Sequence, residues 1–187
     1  MSTPGLNQPK PVDVQIPASG SAIAVLDLSV RCDNPAEICS ELMRGLGAFL
    51  ERARSRDVPI IFTSSSATKG TPEAEIATAL KRRPDEPVIY PDAFDKFVGG
   101  ELQRFLTGSN ARELVIVGSS THVAVMYTAT SAARVYGYHV VIPLDGVNTR
   151  NQIEHDYALH QLTVIPRVSA LIRFSTLDAI QFVPGGT

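Results

Sequence analysis

Six short apolar runs punctuate the chain: Ala22-Ile23-Ala24-Val25-Leu26, Val58-Pro59-Ile60-Ile61-Phe62-Thr63, Val88-Ile89-Tyr90, Leu114-Val115-Ile116-Val117, His139-Val140-Val141-Ile142-Pro143-Leu144 and Ser169-Ala170-Leu171-Ile172. Apolar runs this short, rich in β-branched residues, predict strands buried on both faces. Between them the apolar positions recur at helical spacing. Asn34 is placed to cap a helix, with Pro35 in the first turn and Glu37 able to reach back. Ile38, Leu42, Leu46, Phe49, Leu50 and Ala53 then form its buried stripe as far as Arg56. Pro72 to Arg83 has weaker helical character, anchored by Ile76 and Leu80, with Lys81-Arg82-Arg83 as a solvated end. Gly100 to Leu106 begins another helix, and Thr149 can cap a last one through about Leu162. Strands alternating with helices at this spacing predict an α/β fold, a doubly wound six-stranded parallel sheet in a single domain.

The pattern also sets boundaries. Pro4, Pro9, Pro11 and Pro17 forbid a continuous helix before Gly20, so residues 1–19 read as a flexible N-terminal arm, 20–180 as the α/β domain and 181–187 as a tail. The 187 residues, 44% of them hydrophobic, suffice for one sizeable core. A net charge of −2 gives no reason to expect nucleic acid or an anionic membrane as partner. No apolar run has signal-peptide or membrane-span length, which predicts a cytoplasmic protein. Cys32 and Cys39 stand seven residues apart, and in that setting a structural disulfide is not expected.

The richest stretch runs from Glu113 to Gly137. Its apolar strand stops at Gly118, small polar residues Ser119, Ser120 and Thr121 make a tight turn, and Val123, Met126, Tyr127 and Thr130 open a helix that ends at Gly137. In a parallel sheet such a junction lies at the carboxyl edge, where helix N–H groups point outward and ligands bind. Asp27 is the second signal: a charge at the carboxyl end of the first buried strand. It is either a proton donor and acceptor or the cap of the following turn.

These residues carry a resemblance. Gly118-Ser119-Ser120-Thr121-His122-Val123-Ala124-Val125, followed by Thr128-Ala129-Thr130 and Gly137-Tyr138, resembles the turn and helix of the isochorismatase-like (cysteine hydrolase) superfamily. The resemblance implies strand order 3-2-1-4-5-6, which makes strands one and four neighbours and brings Asp27 and the Gly118 to Ala124 turn to one crevice. It also implies that Asp27 is catalytic and that a cis peptide near Ser119-Ser120 aims N–H groups into the site. Most relatives carry a nucleophilic cysteine where this chain has Ala124; the branch without the thiol has a histidine two positions earlier, where His122 stands here.

A family lysine precedes a phenylalanine and a small-residue pair. Matching Phe97, Gly99, Gly100 and Leu102 to that pattern without gaps puts Pro91 in the lysine position. Lys96 follows five residues later; it either reaches the crevice by another path or is an exposed loop lysine between Asp92 and Asp95. His122 either hydrogen-bonds a substrate carboxylate or carbonyl, or packs under a neighbouring loop. The candidates are thus Asp27, His122 and Lys96 for catalysis, and Ser119, Ser120, Thr121, Ala124, Phe94 and Tyr127 for substrate binding. No metal or other cofactor is expected: the second strand is not followed by the aspartate and histidines of metal-binding relatives, and His155 and His160 are five apart, off a shared helix face. The resemblance further implies a homo-oligomer, dimer or tetramer.

Two functions fit. One is a hydrolase acting on a small carboxylate, amide or enol ether by acid–base chemistry through Asp27, without a covalent cysteine intermediate. The other is a catalytically reduced relative that binds a small molecule or serves as an assembly partner.

Overall fold

The computed structural model describes residues 5–185. In chain order its strands are β1 (Val14–Pro17), β2 (Ser21–Leu26), β3 (Ile60–Thr63), β4 (Val88–Ile89), β5 (Glu113–Ser119), β6 (His139–Pro143), β7 (Val147–Asn148), β8 (Ile172–Ser175) and β9 (Ile180–Val183). The helices are α1 (Met43–Arg54), α2 (Glu101–Gly108), α3 (Met126–Arg134) and α4 (Gln152–Val164).

Alternation along the central strands decides the layering. In β2, Ala22, Ala24 and Leu26 enter one core while Ile23 and Val25 enter the other; in β5, Leu114 and Ile116 part in the same way from Val115 and Val117. A sheet that is apolar on both faces needs a covering layer on each. Leu46, Phe49, Leu50 and Ala53 of α1 supply one cover. Leu102 and Leu106 of α2, Ala129 and Ala132 of α3, and Leu159 and Leu162 of α4 supply the other. The main path of the sheet runs β4-β3-β2-β5-β6-β8, every pairing parallel, with the short β7 also beside β5. Counted from β2, this is the order 3-2-1-4-5-6.

Several expectations need correction. Val14–Pro17 is not free arm: it pairs in parallel with Ile180–Val183, partly within the expected tail, in a second, two-stranded sheet. Val14 and Ile16 are buried against Ile180 and Phe182, an apolar gain that ties both chain ends to the α1 face. Residues 1–4 and 186–187, also assigned to the arm and tail, lie outside the described residues.

The helix expected from Asn34 starts only at Met43. Before it the chain makes tight 3₁₀ turns over Val30–Asp33 and Ile38–Leu42, and the Asn34 side chain accepts a hydrogen bond from the Ala36 N–H instead of capping a helix. Those turns bring the Cα atoms of Cys32 and Cys39 to 5.2 Å, and the two residues form a disulfide with neither side exposed. The expectation that no disulfide forms rested on a chain without secretory features, and the structure overturns it: two tight turns, not a continuous helix, cover the sequence separation of seven between the cysteines. Pro72 to Arg83 likewise holds only short turns. Asn151, not Thr149, caps α4, and Ser169–Leu171 is a turn leading into β8. Among the described residues no helix is long and apolar enough to cross a membrane.

One ion pair in the body of the fold is buried. Arg54 meets Glu86 with its Nε and a terminal nitrogen, at 2.7 and 2.8 Å, and donates to Glu51 at 2.7 Å. Glu86→Ala should therefore cost about 3 kcal/mol in denaturant unfolding, the lower end for breaking a buried pair because Glu51 still meets the guanidinium. The double change Arg54→Met with Glu86→Leu should cost less than the single one, since it strands no charge.

Candidate active site

The site begins where two strand ends touch. β2 and β5 pair in register until Leu26 stands opposite Gly118. Gly118 has φ +136°, and a Cβ there would lie 2.2 Å from the Leu26 carbonyl oxygen, so only glycine lets the two strands close to their ends. The next residue on β2 is Asp27, whose backbone turns into the left-handed region at φ 55°, a conformation that aspartate tolerates better than most residues. Its N–H donates to the Thr63 carbonyl and hydroxyl, both at 3.2 Å, and the Thr63 hydroxyl donates to Oδ1 at 2.7 Å. The carboxyl group is thereby held over the end of β3.

Its other oxygen faces Lys96. The ammonium lies 2.7 Å from Asp27 Oδ2 and donates to the Ala93 carbonyl at 3.2 Å. The lysine backbone N–H donates to the Thr128 hydroxyl on α3 at 3.1 Å, which fixes the loop between β4 and α2 against the central helix. Lys96 is 4% exposed. The choice between an exposed loop lysine and one that reaches the crevice is thus decided by geometry. It is Lys96, not a residue at the Pro91 position, that meets the carboxylate.

Past Gly118 the Ser119–Ser120 peptide is cis, a single π turn spans Thr121–Val125, and α3 follows from Met126. Ser119, Ser120, Val123 and Ala124 form one wall of a crevice of about 540 Å³ that Asp27 also borders. Ser29, Val30 and Arg31 from the turn after β2 border it as well, as do Ser64 and Ser65 beyond β3, and Phe94. Of the candidates, Asp27, Ser119, Ser120, Ala124 and Phe94 share this crevice, and Lys96 reaches it through Asp27. A hollow of about 760 Å³ nearby, with Thr71, Lys81, Arg82 and Tyr90 on its wall, includes neither Asp27 nor the turn after β5.

Three candidates point elsewhere. His122 accepts or donates at 3.0 Å to the Thr149 hydroxyl through Nδ1, and its Nε2 lies 3.5 Å from Glu154. The Thr121 hydroxyl is buried against His155 Nδ1 at 2.9 Å. Tyr127 is half-exposed, its ring 6.1 Å from that of Phe94. The π turn explains the division: it presents Val123 and Ala124 to the crevice while His122 turns toward α4. Ser29, Arg31, Ser64, Ser65 and Glu73 are crevice residues that the sequence reading missed. The polar run that follows the apolar strand before Ser64 is the signal that marks one of these segments.

The arrangement offers a carboxylate paired with an ammonium, hydroxyl groups, and the start of a helical turn in which the Val123 and Val125 N–H groups donate to the Ser120 carbonyl at 3.2 and 3.3 Å, with those of Thr121 and His122 ahead of these first bonds. It lacks a nucleophilic side chain at position 124. Among the described residues no three His, Cys, Asp or Glu side chains group so as to hold a metal ion.

Comparison with known proteins agrees with the fold and shows the family. Residues 29–173 match the family model of the isochorismatase domain. A secreted isochorismatase effector of Verticillium dahliae is 31% identical over 113 residues, 57% of this chain and 59% of that protein. The chain thus spans less than two thirds of the length of this curated relative. An isochorismatase family protein from Burkholderia thailandensis superposes with TM-score 0.74 at 22% identity, over 89% of this chain and 95% of the other. The N-carbamoylsarcosine amidase of Thermoplasma acidophilum superposes with TM-score 0.70 at 19% identity, over 84% of this chain and 96% of the other.

Burial of His155 makes stability depend on pH. Burial holds the His155 imidazole below its ordinary value of 6.5, against a smaller opposing effect of the Asp156 charge. The unfolded chain therefore takes up this proton first, so the contribution is complete above pH 6.5 and is lost as pH falls below it. The thermal midpoint should drop on acidification through that range, and His155→Gln, which keeps a partner for Thr121, should flatten the slope. An unchanged slope in the variant would assign the acid sensitivity to other groups.

Proposed function

The chain belongs to the isochorismatase family, and from that premise we propose that it is a hydrolase of a small carboxylate, amide or enol-ether metabolite, working by acid–base chemistry through Asp27 without a covalent cysteine intermediate. The family fold, shared with hydrolases, supports an enzyme. The observation that carries the finer reading is the Asp27–Lys96 pair, 2.7 Å apart, in a crevice whose wall has alanine where a thiol would be needed.

Alanine cannot attack a carbonyl, and in this scheme the attacking oxygen comes from water. Asp27 is placed to take a proton from that water and return it to the departing group, or, with an enol ether and its carboxyl group in the protonated form, to protonate the vinyl carbon, after which water adds to the oxocarbenium ion and gives its proton back to the carboxylate. Thr63 fixes one carboxylate oxygen and Lys96 the other, so the group is oriented before substrate arrives. Backbone N–H groups at the start of the Thr121–Val125 turn are suited to a developing negative charge on oxygen. His122, turned toward Thr149 and Glu154, takes no part in this scheme.

A second reading is favoured by one observation, Ala124 itself: a relative reduced to binding or assembly would also dispense with the nucleophile. Turnover decides between them. Small carboxylates, amides and enol ethers are first ranked by thermal shift, where a ligand at a hundred times its dissociation constant stabilises by about 2.7 kcal/mol. With the substrate so found, Asp27→Asn should keep affinity and lose about two to four decades of kcat, the usual share of general acid–base catalysis. Lys96→Met should likewise lower kcat more than it raises KM. Full turnover in Asp27→Asn would end the acid–base proposal, and specific binding without turnover of any ligand would establish the second reading.

A further inference from the structure

We propose that Arg31 selects the substrate of this crevice, gripping the single carboxylate of a small molecule whose apolar body lies against Val30, Val123, Ala124 and Phe94. The inference rests on the crevice being the substrate site and narrows its substrate to a monocarboxylate.

Among the described residues of the crevice wall, the charged ones are Asp27, Arg31 and Glu73. Asp27 is already paired with Lys96, whose ammonium is further engaged by the Ala93 carbonyl. Among the described wall residues that leaves Arg31 as the cation. Its nearest acid, Glu37, is 3.8 Å away and is shared with Arg150 at 3.5 Å. An ion pair this long, between half-exposed groups, is weak and leaves the guanidinium fork able to take a carboxylate with two parallel hydrogen bonds.

The backbone beneath Arg31 is fixed. Its neighbour Cys32 is fully buried and bonded to Cys39. The Val30 N–H donates to the Glu75 carbonyl at 2.6 Å, Ser29 bridges to Ile76, and the Asp33 carboxylate accepts from the Thr78 N–H at 3.0 and 3.1 Å. A charged head on an anchored turn loses less freedom on binding than one on a mobile loop.

Glu73 restricts the ligand further. A hydrogen bond from Thr71 holds its carboxyl below the usual range, so it is ionised at neutral pH. A ligand with a second negative charge meets that carboxylate and is disfavoured.

Benzoate, benzamide and phthalate serve as probes in calorimetric titrations of the full chain. Benzoate should bind at least tenfold more tightly than benzamide or phthalate. Arg31→Gln should weaken benzoate tenfold or more and leave benzamide unchanged, with Arg31→Lys between. Equal affinity for benzoate and benzamide, absence of benzoate binding to the unmodified protein, or a neutral Arg31→Gln would each overturn the inference. Val123→Trp, which fills the crevice from a half-buried wall position, separates the two levels of failure. If it abolishes benzoate binding while Arg31→Gln does not, only the role of Arg31 falls; if benzoate binds undiminished in Val123→Trp, the crevice is not the binding site.

Discussion

No side chain fits between Gly118 and Leu26, and much of the molecule follows from that contact. A Cβ at Gly118 would overlap the backbone of β2, so glycine lets β2 and β5 keep their register to the last residue. These two strands are where the sheet order reverses, β3 and β4 lying on one side and β6 and β8 on the other. Chains leaving a reversal point diverge to opposite faces and open a crevice between them. Asp27 and the Ser119–Ala124 turn border that crevice because each follows directly from a strand end fixed by the glycine. Sheet and site therefore share one constraint, met by leaving out a side chain.

Elements whose apolar positions speak for themselves were legible in the sequence. The runs at 22–26, 60–63 and 114–117 lie in strands, although β5 continues through Gly118 to Ser119 instead of stopping at the glycine. Legibility ended where a contact depends on how an irregular loop folds. Lys96 lies 69 positions from its carboxylate partner, on a segment with no periodicity, and a gapless match to a motif could not see that the loop curls back through its Ala93 carbonyl and the Thr128 hydroxyl. His122 had two readings, substrate contact or packing under a neighbouring loop, and its contacts with Thr149 and Glu154 follow the second, as the π turn carries the side chain toward α4.

Two misreadings had a signal that was present. Val14-Gln15-Ile16 and Ile180-Gln181-Phe182 both alternate apolar with polar, the period of a half-covered strand, and each is such a strand. Prolines concealed the first, although Pro17 sits at the strand end, where a lost donor costs little. The disulfide went against an expectation drawn from the lack of secretory features, and it forms where tight turns rather than a helix carry the chain from Cys32 to Cys39. With Cys32 and Cys39 paired, cysteine usage no longer argues for a reducing compartment, and the Verticillium relative is named as secreted.

The Arg54–Glu86 and Lys96–Asp27 ion pairs differ in a way that bears on function. Arg54 and Glu86 are both almost wholly covered, meet through two parallel hydrogen bonds, and have Glu51 and the Leu80 carbonyl to occupy the remaining donors. Such a pair is satisfied by its surroundings and has nothing left to offer a ligand. The Lys96 side chain is as deeply covered, 5% exposed, but Asp27 is 27% exposed and opens onto the crevice. Taking an ammonium out of water is costly, and a hydrophobic side chain of similar volume often serves stability as well. A buried lysine held against a half-open carboxylate is thus poorly explained by folding alone. It fits the proposed acid–base chemistry at that carboxylate, in which the cation fixes the orientation of one oxygen and the open side exchanges a proton with water or substrate. Under that proposal the alanine at position 124 removes the covalent route and leaves the proton-transfer groups in place.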